Sequence, residues 1–159
     1  MDKIKVVFIV NGDRVELSVK PDRSLLDVLR MELDLTGAKA GCDDGQCGAC
    51  KVIIDGNAVV SCLVPMRIMN GKSVQTIEGL ATGTVLHPIQ KAFMELGAVQ
   101  CGYCNPGMIM AAKALLDKNP APTDKEVRLA ISGNLCRCTG YKKQVEAILL
   151  AANRMRSPV

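Results

Sequence analysis

Eight cysteines divide into two groups of four along the chain, and none is left over. Thiolate is a strong ligand for zinc and iron, and four thiolates complete a tetrahedral zinc site or a two-iron site. The cysteine count therefore predicts two metal sites, each held by sulfur alone. The first group is Cys42, Cys47, Cys50 and Cys62, and the second is Cys101, Cys104, Cys136 and Cys138.

Three cysteines of the first group share one glycine-rich loop, Gly41 to Cys50. Their spacing, C-x4-C-x2-C with a distant fourth cysteine, is that of plant-type ferredoxins, which bind a 2Fe-2S cluster. The glycines allow the loop to wrap closely, so that backbone N–H groups can point at the cluster sulfurs. In the second group, a C-x2-C pair and a C-x-C pair supply four further thiolates.

Three other uses of the cysteines stay open at this point. Structural zinc accepts four thiolates, but zinc ribbons pair one C-x2-C with another, and neither group does so. Disulfides suit small secreted chains, whereas we expect no export segment before the strand pattern that begins at Ile4. Thiol redox sensing by a C-x2-C pair would leave most of the cysteines unexplained.

The hydrophobic period changes near residue 80, which predicts two domains, at residues 1–79 and 80–159. In the first, an Asn11-Gly12 turn joins two β-branched segments, and Ser24 is the predicted N-cap of a helix. Five strands are predicted, at residues 4–10, 14–20, 51–54, 58–63 and 73–77. This order of elements indicates a β-grasp, ferredoxin-like 2Fe-2S domain.

The second domain is predicted to be a four-helix bundle that carries the second cysteine group on its loops. Asn105 is the predicted N-cap of one helix, with Pro106 at its first position, and Thr123 opens another through a capping box. His87, the one histidine, is predicted to lie at an exposed helix start. The helices are expected at residues 86–96, 106–118, 123–133 and 141–154, so the fold class is α+β.

Composition excludes two classes of protein. The formal charge is +4, but two oxidised clusters with about −2 each bring the loaded chain to about zero. With no Trp, two Phe and two Tyr, the chain offers no stacking platform for nucleic acid. No apolar run approaches the length of a membrane span. We therefore expect a cytoplasmic protein that binds neither nucleic acid nor a membrane.

Three segments together resemble the iron–sulfur subunit of the xanthine dehydrogenase family of molybdenum hydroxylases. They are Gly41 to Cys50, Gln100 to Met108 and Gly133 to Tyr141. The resemblance covers essentially the whole chain. It implies two 2Fe-2S clusters that relay electrons from a molybdopterin cofactor to FAD or another acceptor.

The same resemblance implies site residues and partners. The first cysteine group would lie nearer the flavin and the second nearer molybdenum, and Gln100 and Cys138 match positions that contact the pterin. A large molybdopterin-binding subunit and a medium FAD-binding subunit would complete the enzyme, commonly as a dimer of heterotrimers. Asn105 stands where the family commonly has Thr.

No catalytic residue is expected on this chain. A Rieske-type site needs two histidines, so His87 is not expected to be a ligand. Asp43 and Asp44 fit a solvated loop, since neither has a partner base. A second functional hypothesis stays open: a free-standing two-cluster electron carrier that docks transiently with separate oxidoreductases.

Overall fold

The N-terminal half folds into a five-stranded mixed sheet. The computed structural model describes residues 2–157. The strands are β1 (Ile4–Val10), β2 (Asp13–Val19), β3 (Lys51–Ile54), β4 (Asn57–Val60) and β5 (Ser73–Gln75), in the order β2-β1-β5-β3-β4. β1 pairs in parallel with β5, and the other pairs are antiparallel. The β1–β2 hairpin turns at Asn11-Gly12, where both residues have positive φ, as predicted.

One helix, α1 (Leu25–Met31), packs its apolar face against this sheet. Ser24 is its N-cap, because the Ser24 hydroxyl accepts a hydrogen bond from the N–H of Asp27 at 3.1 Å. Leu25, Leu26 and Leu29 are fully buried. They share a core with Phe8 and with other apolar residues that all lie before position 80. Burial of such side chains stabilises the sheet by roughly 2 kcal/mol each.

The C-terminal half contains four helices around a separate core. They are α2 (Pro88–Glu95), α3 (Asn105–Lys118), α4 (Asp124–Ile131) and α5 (Lys142–Arg156). Thr123 opens α4 through the predicted capping box. A sheet followed by a helical bundle confirms the predicted α+β fold. Within residues 2–157, no helix combines the length and the apolar character that crossing a bilayer requires.

Several predicted boundaries were wrong where local turns end an element early. The fourth strand stops at Val60, because residues 61–63 form a 3₁₀ turn that carries Cys62. A second 3₁₀ turn at Ile77–Gly79 likewise shortens the fifth strand. Asn105 is not the N-cap of α3: Cys104 occupies that position, and no side chain caps this end.

His87 is half-buried, not exposed as predicted, and its imidazole is the N-cap of α2. Its Nδ1 accepts a hydrogen bond from the N–H of Ile89 at 3.2 Å, while the side chain of Gln90 accepts one from the N–H of His87 at 2.9 Å. Burial and the Lys113 ammonium lower the pKa of His87, against the opposing effect of Asp117. The fold therefore favours the neutral imidazole.

The two halves meet where three backbone segments come unusually close. Gly48, on the first cysteine loop, has a φ of +68° and lies against the carbonyl of Gly133. Gly107, in the first turn of α3, lies against the carbonyl of Gly48. A Cβ at either glycine would collide with the opposing backbone oxygen. The two halves can approach this closely only because both positions lack a side chain.

Protonation of His87 should destabilise the protein. An imidazolium has no acceptor at Nδ1, so protonation of His87 removes the α2 cap. The cap stabilises the protein fully above about 6.5, the pKa of histidine in the unfolded chain. This stabilisation is lost as the pH falls through the lower pKa of His87 in the folded protein. NMR titration of the imidazole proton should give a midpoint below about 6.5. His87→Asn keeps a cap without the titration, so its unfolding free energy should fall less than the wild type's between pH 7.5 and pH 5.5. An unperturbed or raised midpoint would contradict the assignment.

Gly107→Ala should separate the two halves. Alanine improves helix propensity at this position by about 1 kcal/mol, so any destabilisation must come from the collision with Gly48. We expect a loss of about 3 kcal/mol, or roughly 6–12 °C in the unfolding midpoint. Gly133→Ala is the matched control, because its Cβ would meet only the end of the Lys51 side chain, at 3.2 Å. Equal stability of the two variants would count against the close approach.

Candidate iron-sulfur sites

The first cysteine group gathers on two connections of the sheet. Cys42, Cys47 and Cys50 lie on the loop between α1 and β3, and Cys62 lies in the 3₁₀ turn after β4. The N–H of Cys47 donates to the sulfur of Cys42 at 3.4 Å. The hydroxyl of Ser61, which is fully buried, donates to the carbonyl of Cys50 at 2.7 Å and so fixes the end of the loop to the turn.

Within this group the thiols form two pairs. Burial, together with the neighbouring Cys50, raises the pKa of Cys62 to about 12. Burial also raises the pKa of Cys47, and the adjacent Cys42 thiol adds to that increase. Neighbouring thiolates repel each other, so cations bound between them would stabilise the ionised form of the pairs.

The second group sits on two loops of the helical half. Cys101 and Cys104 precede α3, and Cys136 and Cys138 lie between α4 and α5. The sulfurs of Cys101 and Cys138 are 3.6 Å apart. Two thiolates on one tetrahedral metal, with metal–sulfur bonds of about 2.3 Å, are roughly 3.8 Å apart, so this pair suits a single metal atom. Cys104 and Cys136 form the other pair, and each of these thiols shifts the pKa of the other.

Cys104 and Cys136 lie in contrasting environments. Burial, with the neighbouring Cys136, raises the pKa of Cys104 to about 12. Burial acts in the same direction on Cys136, but hydrogen bonds from Thr139, from the backbone of Cys138 and from Cys104 outweigh it and lower the pKa of Cys136 to about 7. The hydroxyl of Thr139 lies 3.0 Å from the Cys136 sulfur. Of these two thiols, Cys136 therefore ionises more readily than Cys104.

Four residues that support the two cysteine groups were missed as site residues. Gln144 is fully buried and donates to the Cys104 sulfur at 3.7 Å, and the hydroxyl of Tyr141 accepts from the N–H of Cys136 at 2.8 Å. Tyr141 adopts φ of +68° immediately before α5. In the sequence, the one clue to the role of Gln144 was its place beside Val145 on the apolar face of a helix. Thr139 and Asn134 offered only their proximity to the cysteines.

A backbone hydrogen bond connects the two cysteine groups. The N–H of Leu135 donates to the carbonyl of Cys47 at 2.9 Å, and Leu135 precedes Cys136 in the chain. One hydrogen bond and one residue thus separate a cysteine of the first group from one of the second. Tyr103 adds a second link, because its hydroxyl donates to the carbonyl of Ala40 at 2.6 Å.

Exposure differs between the groups. Cys101 and Cys138 are exposed, and the second group lines a surface cavity of about 240 Å³ together with Tyr103 and Leu135. Gln100 is also exposed and donates to the carbonyl of Cys138 at 3.1 Å, which brings the two residues predicted to contact a pterin together. His87 caps the start of α2 and belongs to neither cysteine loop, and Asp44 accepts hydrogen bonds from Gln46 on its own loop.

The donor sets fit 2Fe-2S clusters. Such a cluster takes two thiolates on each of two irons, and both groups are arranged as two pairs. In the part of the chain that the structure describes, no three His, Cys, Asp or Glu side chains converge closely enough to hold a single metal ion. When bound, a 2Fe-2S cluster accepts and releases one electron.

Comparison with known families identifies both halves. Residues 8–81 match the family described as "2Fe-2S iron-sulfur cluster binding domain", and residues 76–149 match "2Fe-2S binding domain". Both cofactors predicted for this chain are therefore confirmed at the level of its domains.

Three known proteins are similar over most of this chain. The nicotinate dehydrogenase small FeS subunit of Eubacterium barkeri is 47% identical over 97% of this chain and 98% of its own length. A probable xanthine dehydrogenase subunit of Bacillus subtilis is 48% identical over 83% of this chain and 76% of its own. A chain in the crystal structure of quinoline 2-oxidoreductase from Pseudomonas putida 86 superposes with a TM-score of 0.93 at 40% identity, with 100% of both chains covered.

Both halves of the chain thus match 2Fe-2S domains in sequence, and the whole chain matches complete small subunits in length and fold. Larger partner subunits are implied by the description of the relatives as small subunits. The chain belongs to the iron–sulfur subunits of the molybdenum hydroxylase, or xanthine dehydrogenase, family.

Proposed function

We propose that this chain relays single electrons through two 2Fe-2S clusters within a molybdenum hydroxylase. The observation that carries the proposal is the hydrogen bond between Leu135 and Cys47, because it couples the two cysteine groups through a short backbone connection. The chain would supply the conduit, and partner subunits would supply the substrate site. Its own residues hold the clusters, exclude water from Cys50 and Cys104, and fix the distance between the two sites.

We assign one cluster to each cysteine group. Cys42, Cys47, Cys50 and Cys62 would hold the cluster of the sheet half, which we call the plant-type cluster. Cys101, Cys104, Cys136 and Cys138 would hold the cluster of the helical half, which we call the helical cluster. The pairing of thiols in each group supports this assignment, as does the count of four sulfurs per site.

We also propose how the clusters face the partners. The helical cluster would face the molybdopterin of a large subunit, because Gln100 and two of its cysteines lie at the surface. The amide of Gln100 can donate to and accept from a pterin edge. The plant-type cluster would face FAD on a medium subunit, beside Leu63, whose side chain is 57% exposed next to Cys62. Two such heterotrimers would form the complete enzyme.

Two further proposals concern the chain itself. We place the domain boundary between residues 79 and 80, because one core contains residues up to Val74 and the other is built mainly from residues after Leu80. We propose the cytoplasm as its compartment. All eight cysteines are free thiols, and reducing compartments preserve thiols.

Replacing one ligand should remove one cluster. Cys136→Ala should lower the iron content from about four to about two per chain and remove the EPR signal of the helical cluster, because one iron loses half of its protein ligands. Cys62→Ala is the matched variant and should remove the signal of the plant-type cluster instead. Low-temperature EPR of the reduced enzyme, with iron and zinc measured on the same sample, tests both variants.

Two results would overturn the assignment. Zinc in place of iron in the wild-type enzyme would replace electron transfer with a structural role. Loss of the same EPR signal in both cysteine variants would mean that the two groups do not hold separate clusters. Purification without larger chains would favour the free-standing carrier over the subunit.

Gln100→Ala should leave both clusters intact and slow the reduction of the clusters by substrate. The variant removes the amide proposed to contact the pterin while leaving every cysteine in place. We expect a roughly tenfold slower rate, equivalent to the loss of about 1.4 kcal/mol from one hydrogen bond. Stopped-flow absorbance of the complete enzyme measures this rate, and Gln46→Ala on the first cysteine loop is the control. An unchanged rate would exclude the proposed contact.

A further inference from the structure

Lys51 places a positive charge between the two cysteine groups. It follows Cys50 directly, at the start of β3, and its side chain is half-buried. The ammonium extends toward Gly133 and donates to the amide oxygen of Asn134 at 2.6 Å. A lysine at a strand end ordinarily keeps its ammonium in water. Here the side chain instead turns inward across the junction of the two halves.

Asn134 holds the ammonium in this position. Its side chain is 1% exposed, and both ends of its amide are used. The amide oxygen accepts from Lys51, and the amide nitrogen donates to the carbonyl of Gly48 at 3.0 Å. The second bond fixes which end of the amide faces Lys51. The lysine thus has an acceptor with a defined orientation, which restricts the ammonium to one place beside the first cysteine loop.

We expect a fixed cation at this position to act on the first site more than on the second, because Lys51 directly follows Cys50 in the chain. Reduction adds one negative charge to a 2Fe-2S cluster, so a nearby cation stabilises the reduced form more than the oxidised form. Partial burial strengthens the effect, because water and salt screen a half-buried charge less than an exposed one. Burial lowers the pKa of Lys51, and the negative charge that Cys50 carries as a thiolate opposes this shift by favouring the ammonium.

We propose that Lys51 sets the reduction potential of the plant-type cluster and that Asn134 is the positioning residue that aims its ammonium. The proposal rests on the cluster assignment made above. By making the plant-type cluster easier to reduce, Lys51 would draw electrons from the helical cluster toward the acceptor side. No covalent step is involved, and the lysine neither gains nor loses a proton.

The experiment is a redox titration of the complete enzyme followed by EPR, in which each cluster has its own signal. Lys51→Gln removes the charge but can still donate to Asn134, and Lys51→Arg keeps the charge. Lys39→Gln is the matched control, since it also removes a lysine near the first loop, but one whose ammonium is bound to the carbonyl of Thr36. Iron content confirms that every variant carries both clusters.

We expect Lys51→Gln to lower the midpoint potential of the plant-type cluster clearly and that of the helical cluster much less. Lys51→Arg should stay close to the wild type, and Lys39→Gln should shift neither potential by a comparable amount. Unchanged potentials in Lys51→Gln, or equal shifts of both clusters, would overturn the proposal. Absence of both EPR signals from the wild-type enzyme would instead refute the proposed function.

Asn134 is tested by combining variants. Asn134→Ala should lower the potential of the plant-type cluster when Lys51 is present and add little in the Lys51→Gln background, because it acts through the lysine. Equal shifts in both backgrounds would show that Asn134 does not act by aiming Lys51. A purely structural role would alter iron content or stability without this dependence.

Discussion

The structure depends on the close approach of backbone at Gly48. This residue lies between the carbonyl of Gly133 and the first turn of α3, where Gly107 is in contact with it. Because neither glycine has a side chain, the two cysteine loops touch through their backbones. Had either position carried a β-carbon, the sheet half and the helical half would have to separate. The distance between the two cysteine groups is thus set by main-chain contact, which is less adaptable than side-chain packing.

Such close contact buries backbone polar groups, and the structure pairs them. The carbonyl of Cys47 accepts from the N–H of Leu135, and that of Gly48 accepts from the amide of Asn134. An unpaired carbonyl at this depth would cost about 1–3 kcal/mol. One short segment, residues 133–136, therefore supplies a backbone carbonyl at the close approach, an amide and an N–H for the carbonyls of the first loop, and a cysteine of the second group.

Local chemistry explains what could be predicted from the sequence. Cysteine spacing, the Asn11-Gly12 turn and the caps at Ser24 and Thr123 act over a few residues, so their pattern is visible in the chain. The contact between Lys51 and Asn134 joins residues 83 positions apart, and no local pattern encodes it. His87 was misjudged for a related reason: its surroundings include Lys113 and Asp117 of α3, which are distant in the chain and whose charges act on its imidazole. Cysteine spacing predicts the ligands but not the contacts that bring the two cysteine groups together.

The positions of the second cysteine group have a consequence for the unfolded chain. Cys101 and Cys104 precede α3, and Cys136 and Cys138 follow α4, so a cluster bound by all four connects the two ends of a helical hairpin. Closing a loop of about 35 residues removes conformational entropy from the unfolded chain worth about 4 kcal/mol in the disulfide model. The first group closes a shorter loop in the same way. Through iron, a chain whose eight cysteines are all free thiols would thereby acquire cross-links comparable to those that secreted proteins obtain by oxidation.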